Sequence, residues 1–300
     1  MLNLNKNIRS HRLFRFLLPL MLLVVCGVAD AGCRQKKKLY QSPDGYDFAT
    51  KMEITKLDLK LREISGISWD SDRNVFVSIN DERGKLFLLG RETKAIQGEY
   101  DFGGRGDYED VAIVDGVPYI LESDGTLHKF HIDTVSKSGQ TTTVGKVPIE
   151  GNRDFETLYY DRGRRALILL CKNCDVDDRK KVSAFAYYPD SIGFDPRPVY
   201  QIDVAEVSKL APEKSSRIEP SAAAIHPLYQ KLYILSSASN QLVITDLNGK
   251  AEKVFVLIPS IFTQPEGICF KKNGDMYISN EGGTGKATLI RCAFETNVRQ

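Results

Sequence analysis

The sequence predicts an all-β fold, a β-propeller of about five four-stranded blades, with six blades as the alternative. A short motif recurs five times, mostly at spacings typical of one propeller blade. Each copy is followed by further β-prone runs, separated by turns rich in Gly, Asn and Asp. Only residues 204–210 have the pattern of a helix, so helices do not alternate with the strands.

The recurring motif consists of an acidic or amide residue, any residue, a Ser or Glu, a small or polar residue, and then an apolar strand. The Ser or Glu of the five copies is Ser65, Glu109, Glu156, Ser221 and Glu266. Successive copies are therefore 44, 47, 65 and 45 residues apart, and three of these spacings match a four-stranded blade. The longest interval is too short for two blades, and residues 189–218 within it are interpreted as an outer strand with an inserted loop.

Both ends of the repeat region are predicted to build the last blade together. The final copy ends after its third strand, Ala287–Arg291, whereas the β-prone segment Ile54–Leu61 precedes the first copy. Pairing of these two segments would close the ring and leave no long unpaired strand edge.

The N-terminus has the pattern of an export signal. Four basic residues precede a charge-free, Leu/Val-rich run at 16–28, which is short for a membrane span but typical of a signal peptide. Residues 1–31 are therefore predicted to be a signal peptide; the alternative is a lipoprotein signal to residue 32, with the lipid on Cys33. Residues 33–50 are then predicted to be a linker and 51–300 a single propeller domain. The protein is expected in the periplasm or anchored in the cell envelope.

Composition limits the partners that can be expected, and the cysteines indicate one disulfide. Lys and Arg total 41 against 39 Asp and Glu, without a clustered basic excess, so no nucleic-acid partner is expected. No segment after the export signal is long and apolar enough to cross a membrane, so a lipid anchor is the only expected membrane contact. In an oxidising compartment Cys171 and Cys174 can close a small disulfide, whereas Cys269 is expected in the core.

A ring of polar side chains is predicted at one mouth of the central channel, because the first strand of every blade lines that channel. The candidate site combines the repeated Ser and Glu positions with neighbours before them and polar residues after the second strands: Glu63, Ser65, Asp81, Glu109, Glu156, Glu219, Ser221, Glu266 and Asn280. Oxygen ligands without soft ligands favour a hard cation such as Ca²⁺, with Glu109, Glu156 and Glu266 as the predicted metal ligands. The alternative is structural, since acidic residues at blade starts can accept backbone N–H bonds from the next blade.

The order and spacing of these motifs resemble the SdiA-regulated family, exported bacterial propellers. The residues that carry the resemblance are Glu63–Trp69 with Asn80 and Asp81 following, Asp107–Asp110, Phe155 and Glu156, Glu219–Ser221, and Gln264–Gly267. Residues 39–46 also resemble members from the Bacteroidetes, many of which are lipoproteins. The resemblance covers about residues 39–295 and implies fold and compartment more than a reaction, because the family has no settled activity.

Two functions are compatible with these features. The first is a non-catalytic propeller of the cell envelope that binds a small molecule or an envelope protein, with an acidic, calcium-binding channel. The second is a metal-dependent hydrolase of a lactone or a phosphate ester, because Pro265–Gly267 and Ser279–Glu281 are more distantly similar to NHL-repeat, gluconolactonase-type and phytase propellers. Two of the five ring positions are Ser, which departs from the gluconolactonase pattern and leaves catalytic residues unassigned.

Overall fold

Five antiparallel sheets follow one another along the chain in a computed structural model that describes residues 40–296 except 134, 136, 137, 192 and 213–216. The first strand of each sheet contacts the first strands of the two neighbouring sheets, so the five sheets close into a ring. The prediction of a five-bladed β-propeller is therefore confirmed, and the six-bladed alternative is excluded. The predicted signal peptide and Cys33 lie outside the described residues.

The strands of the blades run in chain order from the channel outwards. Strand β1 (Met52–Lys56) precedes blade 1, which contains β2 (Ile64–Asp70), β3 (Val75–Asn80), β4 (Arg83–Gly90) and β5 (Ile96–Arg105). Blade 2 contains β6 (Tyr108–Val114), β7 (Val117–Glu122), β8 (Thr126–Asp133) and β9 (Ser138–Lys146). Blade 3 contains β10 (Phe155–Asp161), β11 (Ala166–Cys171), β12 (Lys181–Tyr188), β13 (Gly193–Phe194) and β14 (Tyr200–Asp203). Blade 4 contains β15 (Ala222–Ile225), β16 (Leu232–Ser236), β17 (Gln241–Thr245) and β18 (Ala251–Val256), and blade 5 contains β19 (Pro265–Phe270), β20 (Met276–Asn280) and β21 (Thr288–Cys292).

Tight turns and interblade packing explain why these segments form blades. Between β6 and β7, Asp115 (φ 48°) and Gly116 (φ 74°) both adopt the left-handed conformation that a two-residue hairpin needs. Buried apolar side chains form five clusters, one in each interface between neighbouring blades. The rings of Phe76 in blade 1 and Tyr277 in blade 5, for example, lie 4.6 Å apart. Every blade is therefore stabilised mainly by its two neighbours, as expected for a ring of sheets.

Strand β1 closes the ring as predicted. It pairs antiparallel with β21 in blade 5, and Ile54 lies opposite Ile290. The strand begins earlier and ends earlier than the predicted segment Ile54–Leu61, because Leu59–Leu61 form a 3-10 turn capped by Asp58. In this turn Leu61 is buried and Leu59 is exposed. This alternation of burial is typical of a strand, which explains why the segment was predicted to be one.

The described part of the predicted linker, residues 40–50, differs from a linker because it packs on the propeller. Tyr46 and Phe48 are both buried in the cluster between blades 4 and 5. The Tyr46 hydroxyl donates a hydrogen bond of 2.6 Å to the Gly274 carbonyl, and its ring contacts Phe294. This segment therefore fastens the start of the propeller to its last blade.

The insertion in blade 3 contains the predicted helix, α1 (Val204–Leu210), whose first turn is capped by Asp203. The outer strand of this blade is divided into β13 and β14, which pair with different parts of β12. A second 3-10 turn spans Asp175–Asp177. The predicted disulfide between Cys171 and Cys174 is present, and Cys269 is buried. None of the helices in the described part of the chain is long and apolar enough to cross a membrane.

Candidate functional site

A pocket of about 350 Å³ lies where the inner strands begin, and we call it the acidic mouth. All five blades contribute to its lining, which contains Ile64, Ser65, Asp81, Glu109, Glu156, Lys172, Glu219, Ser221, Ser237, Ala238, Gln264, Glu266 and Glu281. Seven of the nine predicted site residues are in this lining, and the other two, Glu63 and Asn280, are not. The repeat register therefore brings together residues that are up to about 200 positions apart in sequence.

The two serines of the predicted ring hold neighbouring blades together. The Ser65 hydroxyl donates to the backbone carbonyl of Glu109 in blade 2, and the Ser221 hydroxyl donates to that of Pro265 at 2.8 Å in blade 5. Both serines are buried, so these bonds satisfy polar groups that water does not reach. These two positions therefore have a structural role, although they donate to backbone carbonyls of the next blade, whereas the structural alternative concerned acidic residues that accept backbone N–H bonds.

Burial and mutual repulsion dominate the electrostatics of the three ring glutamates. Burial, followed by repulsion from Glu156, raises the pKa of Glu109 to about 9. The same two causes raise the pKa of Glu266 to about 8. Glu109 and Glu266 therefore keep their protons at neutral pH in the ligand-free protein. Burial also raises the pKa of Glu156, although a hydrogen bond from Lys172 opposes this change.

Lys172 is a member of the site that the sequence analysis missed. Its ammonium group forms an ion pair with Glu156, inside a ring that was expected to contain acids, hydroxyls and amides but no cation. Burial lowers the pKa of Lys172, but the Glu156 hydrogen bond and the surrounding carboxylates raise it overall. The residue follows the second strand of its blade, as Asp81, Ser237 and Glu281 do in theirs. Aligning those positions across the repeat would have revealed it.

The Lys172 side chain is held at the mouth by a short, cross-linked loop. Cys171 ends β11, and its disulfide to Cys174 closes the loop that contains Lys172. The Lys172 backbone N–H donates to the Asp154 carbonyl at 2.7 Å, which fixes the loop against the start of β10. The loop therefore fixes the backbone from which the Lys172 ammonium group reaches the pocket wall.

The family model of the SdiA-regulated family matches residues 42–283. This chain belongs to the SdiA-regulated family. The resemblance seen in the motifs is thereby confirmed, and the match begins within the segment that packs on blades 4 and 5.

Solved structures with similar folds place this SdiA-regulated protein among β-propellers. The crystal structure of glutaminyl cyclase from Myxococcus xanthus has a TM-score of 0.54 at 16% identity, covering 82% of this chain and 96% of that one. A glucose dehydrogenase has a TM-score of 0.52 at 10% identity, covering 81% and 100%. A Bacteroides thetaiotaomicron protein of unknown function has a TM-score of 0.51 at 15% identity, covering 76% of this chain and 58% of that one. Such likenesses show the fold alone, and no curated protein sequence matches the chain.

Another group of carboxylates in the SdiA-regulated protein lies at the edge of the acidic mouth, in blade 1. Glu63, Asp81 and Glu82 have oxygens within 4.8 Å of one another, close enough to share one ion. Burial, with repulsion from Glu82 next, raises the pKa of Asp81 to about 6. Arg62 partly neutralises the group through a 2.7 Å ion pair with Glu63.

The three predicted metal ligands and Asn280 have different surroundings in the structure. Glu109, Glu156 and Glu266 line one pocket, but among the described residues they do not form a trio within the same 4.8 Å limit. Asn280 is 1% exposed and donates to the Ile261 carbonyl and the Thr288 hydroxyl, both at 3.0 Å. Its polar side chain therefore stabilises the interior of blade 5 instead of facing the channel.

Proposed function

We propose that this protein is a binding propeller of the cell envelope whose acidic mouth takes a cationic ligand. One observation carries the proposal: six carboxyl side chains and a single lysine, counted over the described lining of the pocket, converge from all five blades. The carboxyl groups belong to Asp81, Glu109, Glu156, Glu219, Glu266 and Glu281. Carboxyl groups gathered in this way repel one another unless protons or a cation relieve them.

Calcium is the first candidate ligand, because every acidic donor in the pocket is a hard oxygen. Two groups of carboxyl side chains in or beside the mouth could bind calcium, and they differ in what a bound ion would have to displace. At Glu63, Asp81 and Glu82 the carboxylate oxygens are already close together. At Glu109, Glu156 and Glu266 a bound cation would have to displace the Lys172 ammonium group from Glu156. The volume of about 350 Å³ also has room for a small organic ammonium ion.

A calcium titration followed by thermal unfolding tests the proposal. A ligand at about 100 times its Kd adds about 2.7 kcal/mol of stability, which corresponds to a rise of several degrees in Tm for a protein of this size. Asp81→Asn should abolish the response if the ion binds at the blade 1 edge. Glu156→Gln should abolish it if the ion binds at the centre of the ring.

Two controls make the calcium experiment decisive. Asp101→Asn removes an exposed carboxylate on the outer strand of blade 1 and should leave the response unchanged. Putrescine serves as a divalent organic cation with no coordination chemistry. If neither Ca²⁺ nor putrescine changes the melting curve at pH 8, the mouth does not bind cations of either kind and the proposal is wrong.

The envelope location is part of the same proposal and has its own support. A disulfide between Cys171 and Cys174 suits an oxidising compartment. Cell fractionation should recover the protein with the membranes if Cys33 is lipidated, and Cys33→Ala should then release it into the periplasm. Arg in place of Leu22 and Leu23 should retain the precursor in the cytoplasm, because charge prevents partitioning into the membrane. Recovery of the unaltered protein from the cytoplasm would contradict export.

A metal-dependent hydrolase is the second candidate function, and one observation favours it. Glu109, which holds a proton at neutral pH, lies in the same pocket as the Lys172 ammonium group, which is paired with Glu156. A protonated carboxyl beside an ionised group is the arrangement used for general acid catalysis. Calcium-dependent turnover of a lactone or of p-nitrophenyl phosphate that is lost in Glu109→Gln would support this function over simple binding.

A further inference from the structure

A second pocket lies where the inner strands end, at the side of the ring opposite the acidic mouth. Its volume is about 450 Å³, and the ends of all five inner strands line it. Its walls combine polar groups with apolar side chains, among them Ile113 from blade 2, Leu158 from blade 3 and Ile225 from blade 4. The partly exposed rings of Trp69 and Phe270 add aromatic surface. This volume and this lining are typical of sites for small organic molecules.

The charges at the second pocket have the opposite sign from those at the acidic mouth. Arg162 and Lys272 lie exposed at its rim, and neither has an ion-pair partner among the described residues. Asp161 is the acidic residue in the described lining, but it is buried and forms a 2.5 Å ion pair with Arg164. The rim therefore presents uncompensated positive charge, and we call this pocket the basic mouth.

A third cation, Lys271, is already engaged by aromatic rings at the edge of the basic mouth. Its ammonium nitrogen lies 4.3 Å from the centre of the Trp69 ring and 5.0 Å from that of Tyr277. Such cation–π contacts hold the lysine against the interface between blades 5 and 1. Arg162 and Lys272 are therefore the cations that remain available to a ligand.

We propose that the basic mouth binds a small organic anion with an aromatic or aliphatic body, free in solution. The apolar wall would take the body of the molecule, and Arg162 and Lys272 would take its carboxylate, sulfonate or phosphate group. Charge complementarity selects this class, because the unpaired cations repel a metal ion or an ammonium group. The inference is independent of cation binding at the acidic mouth, since it concerns different residues at the other end of the same strands.

The experiment uses 1-anilinonaphthalene-8-sulfonate, an aromatic sulfonate, as the probe. Trp69 is the only tryptophan of the chain and lines the basic mouth, so its emission reports on the pocket directly. The probe should bind with a stoichiometry of one and reduce Trp69 emission. N-phenyl-1-naphthylamine, which has almost the same rings but no charge, measures the contribution of the apolar wall alone.

Two variants separate the charged rim from the apolar wall. Arg162→Gln combined with Lys272→Gln should weaken binding of the sulfonate about five- to tenfold, as expected for two exposed charges, and leave the neutral probe unchanged. Lys56→Gln combined with Arg105→Gln removes the same charge from exposed positions outside this pocket and is the matched control. Ala224→Phe places a ring in the pocket wall and should weaken both probes.

Three results would overturn the proposal. The first is unchanged Trp69 emission on addition of the sulfonate. The second is equal affinity of the rim variant and its control for the sulfonate. The third is sedimentation of the protein with phosphatidylglycerol vesicles through Arg162 and Lys272, without any response to the free probe, since this face would then be a membrane surface.

Discussion

The two mouths of the channel are made by the same five strands, yet they have opposite chemistry. At the acidic mouth, burial and repulsion raise the pKa values of Glu109 and Glu266, whereas at the basic mouth burial lowers the pKa of Lys271. An inner strand such as β2 has seven residues, so its ends are about 20 Å apart. Exposed charges separated by more than about 8 Å are largely screened at physiological ionic strength. One ring of strands therefore presents carboxyl groups at one mouth and cations at the other.

The largest loss of stability is expected for Asp110, which lies in the buried wall between the two mouths. Asp110 in blade 2 accepts hydrogen bonds from its neighbour Val111 at 2.8 Å and from Leu158 in blade 3 at 2.7 Å. Asp110→Ala should cost about 3 kcal/mol, because it leaves two buried N–H groups without partners. Denaturant unfolding measures this loss, and the exposed Asp101→Ala should cost little. A loss below about 1 kcal/mol would mean that water replaces the Asp110 carboxyl group and that water reaches this wall.

The acidic mouth should make the protein less stable as the pH rises. The folded-state pKa of Glu109 is about 9, above its ordinary value of 4.5, so the folded protein holds a proton that the unfolded chain releases. Stability from this proton is fully present below about pH 4.5 and is lost as the pH rises towards 9, by up to about 1.4 kcal/mol per pH unit. Glu109→Gln removes this dependence and should stabilise the protein by about 2 kcal/mol at pH 8.

Unfolding at pH 5, 6.5 and 8 measures the Glu109 effect. The exposed Glu150→Gln is the matched control and should change stability little at any of these pH values. The same linkage predicts that Ca²⁺ binds more tightly as the pH rises from 6 to 9, because the cation must displace the protons of Glu109 and Glu266. Equal pH dependence in Glu109→Gln and the unaltered protein would show that this carboxyl titrates normally.

Replacing one lysine at each mouth should change stability in different ways. Lys172→Met should cost about 1–2 kcal/mol, because it leaves Glu156 without its ion-pair partner, and the cost should grow with pH. Lys271→Met should cost about 1 kcal/mol or less through lost cation–π contacts, without such growth. Calcium should bind Lys172→Met more tightly than the unaltered protein, since no ammonium group competes. Identical pH profiles for the two variants would contradict the assigned roles.

The fold was predictable from the sequence because propeller blades repeat locally. Each blade is defined by strands and turns close in sequence, and equivalent positions in a ring meet at one mouth. The residues that the prediction missed depend on contacts distant in sequence. Because of the Lys172 ion pair, Glu156→Gln should also leave a partly buried ammonium group without its partner. Tyr46 belongs to the core only because blades 4 and 5 form a cleft for it.

The serines and the glutamates of the ring differ in role, and the sequence does not distinguish them. A hydroxyl that faces the channel and one that donates to the next blade look alike in sequence, because the acceptor is 44 residues away in the case of Ser221 and Pro265. Asn280 was misplaced for this reason too, since its two acceptors come from other segments of blade 5 and the loop before it. The motif thus identifies positions at the mouth, whereas only the assembled ring decides which of them face the ligand.

A small change in stability, expected for Ser221→Ala, tests this division of roles within one ring. Ser221→Ala should cost about 1 kcal/mol, because it removes the buried hydrogen bond to the Pro265 carbonyl. It should leave the calcium response unchanged, since the hydroxyl is engaged by blade 5. Ser237→Ala is the matched control, because Ser237 lines the same mouth but is partly exposed, so its loss should cost less. Thermal unfolding with and without Ca²⁺ measures both quantities in one experiment. If Ser221→Ala instead abolished the calcium response without lowering stability, the serine would be a ligand and the ring would have one role at all five positions.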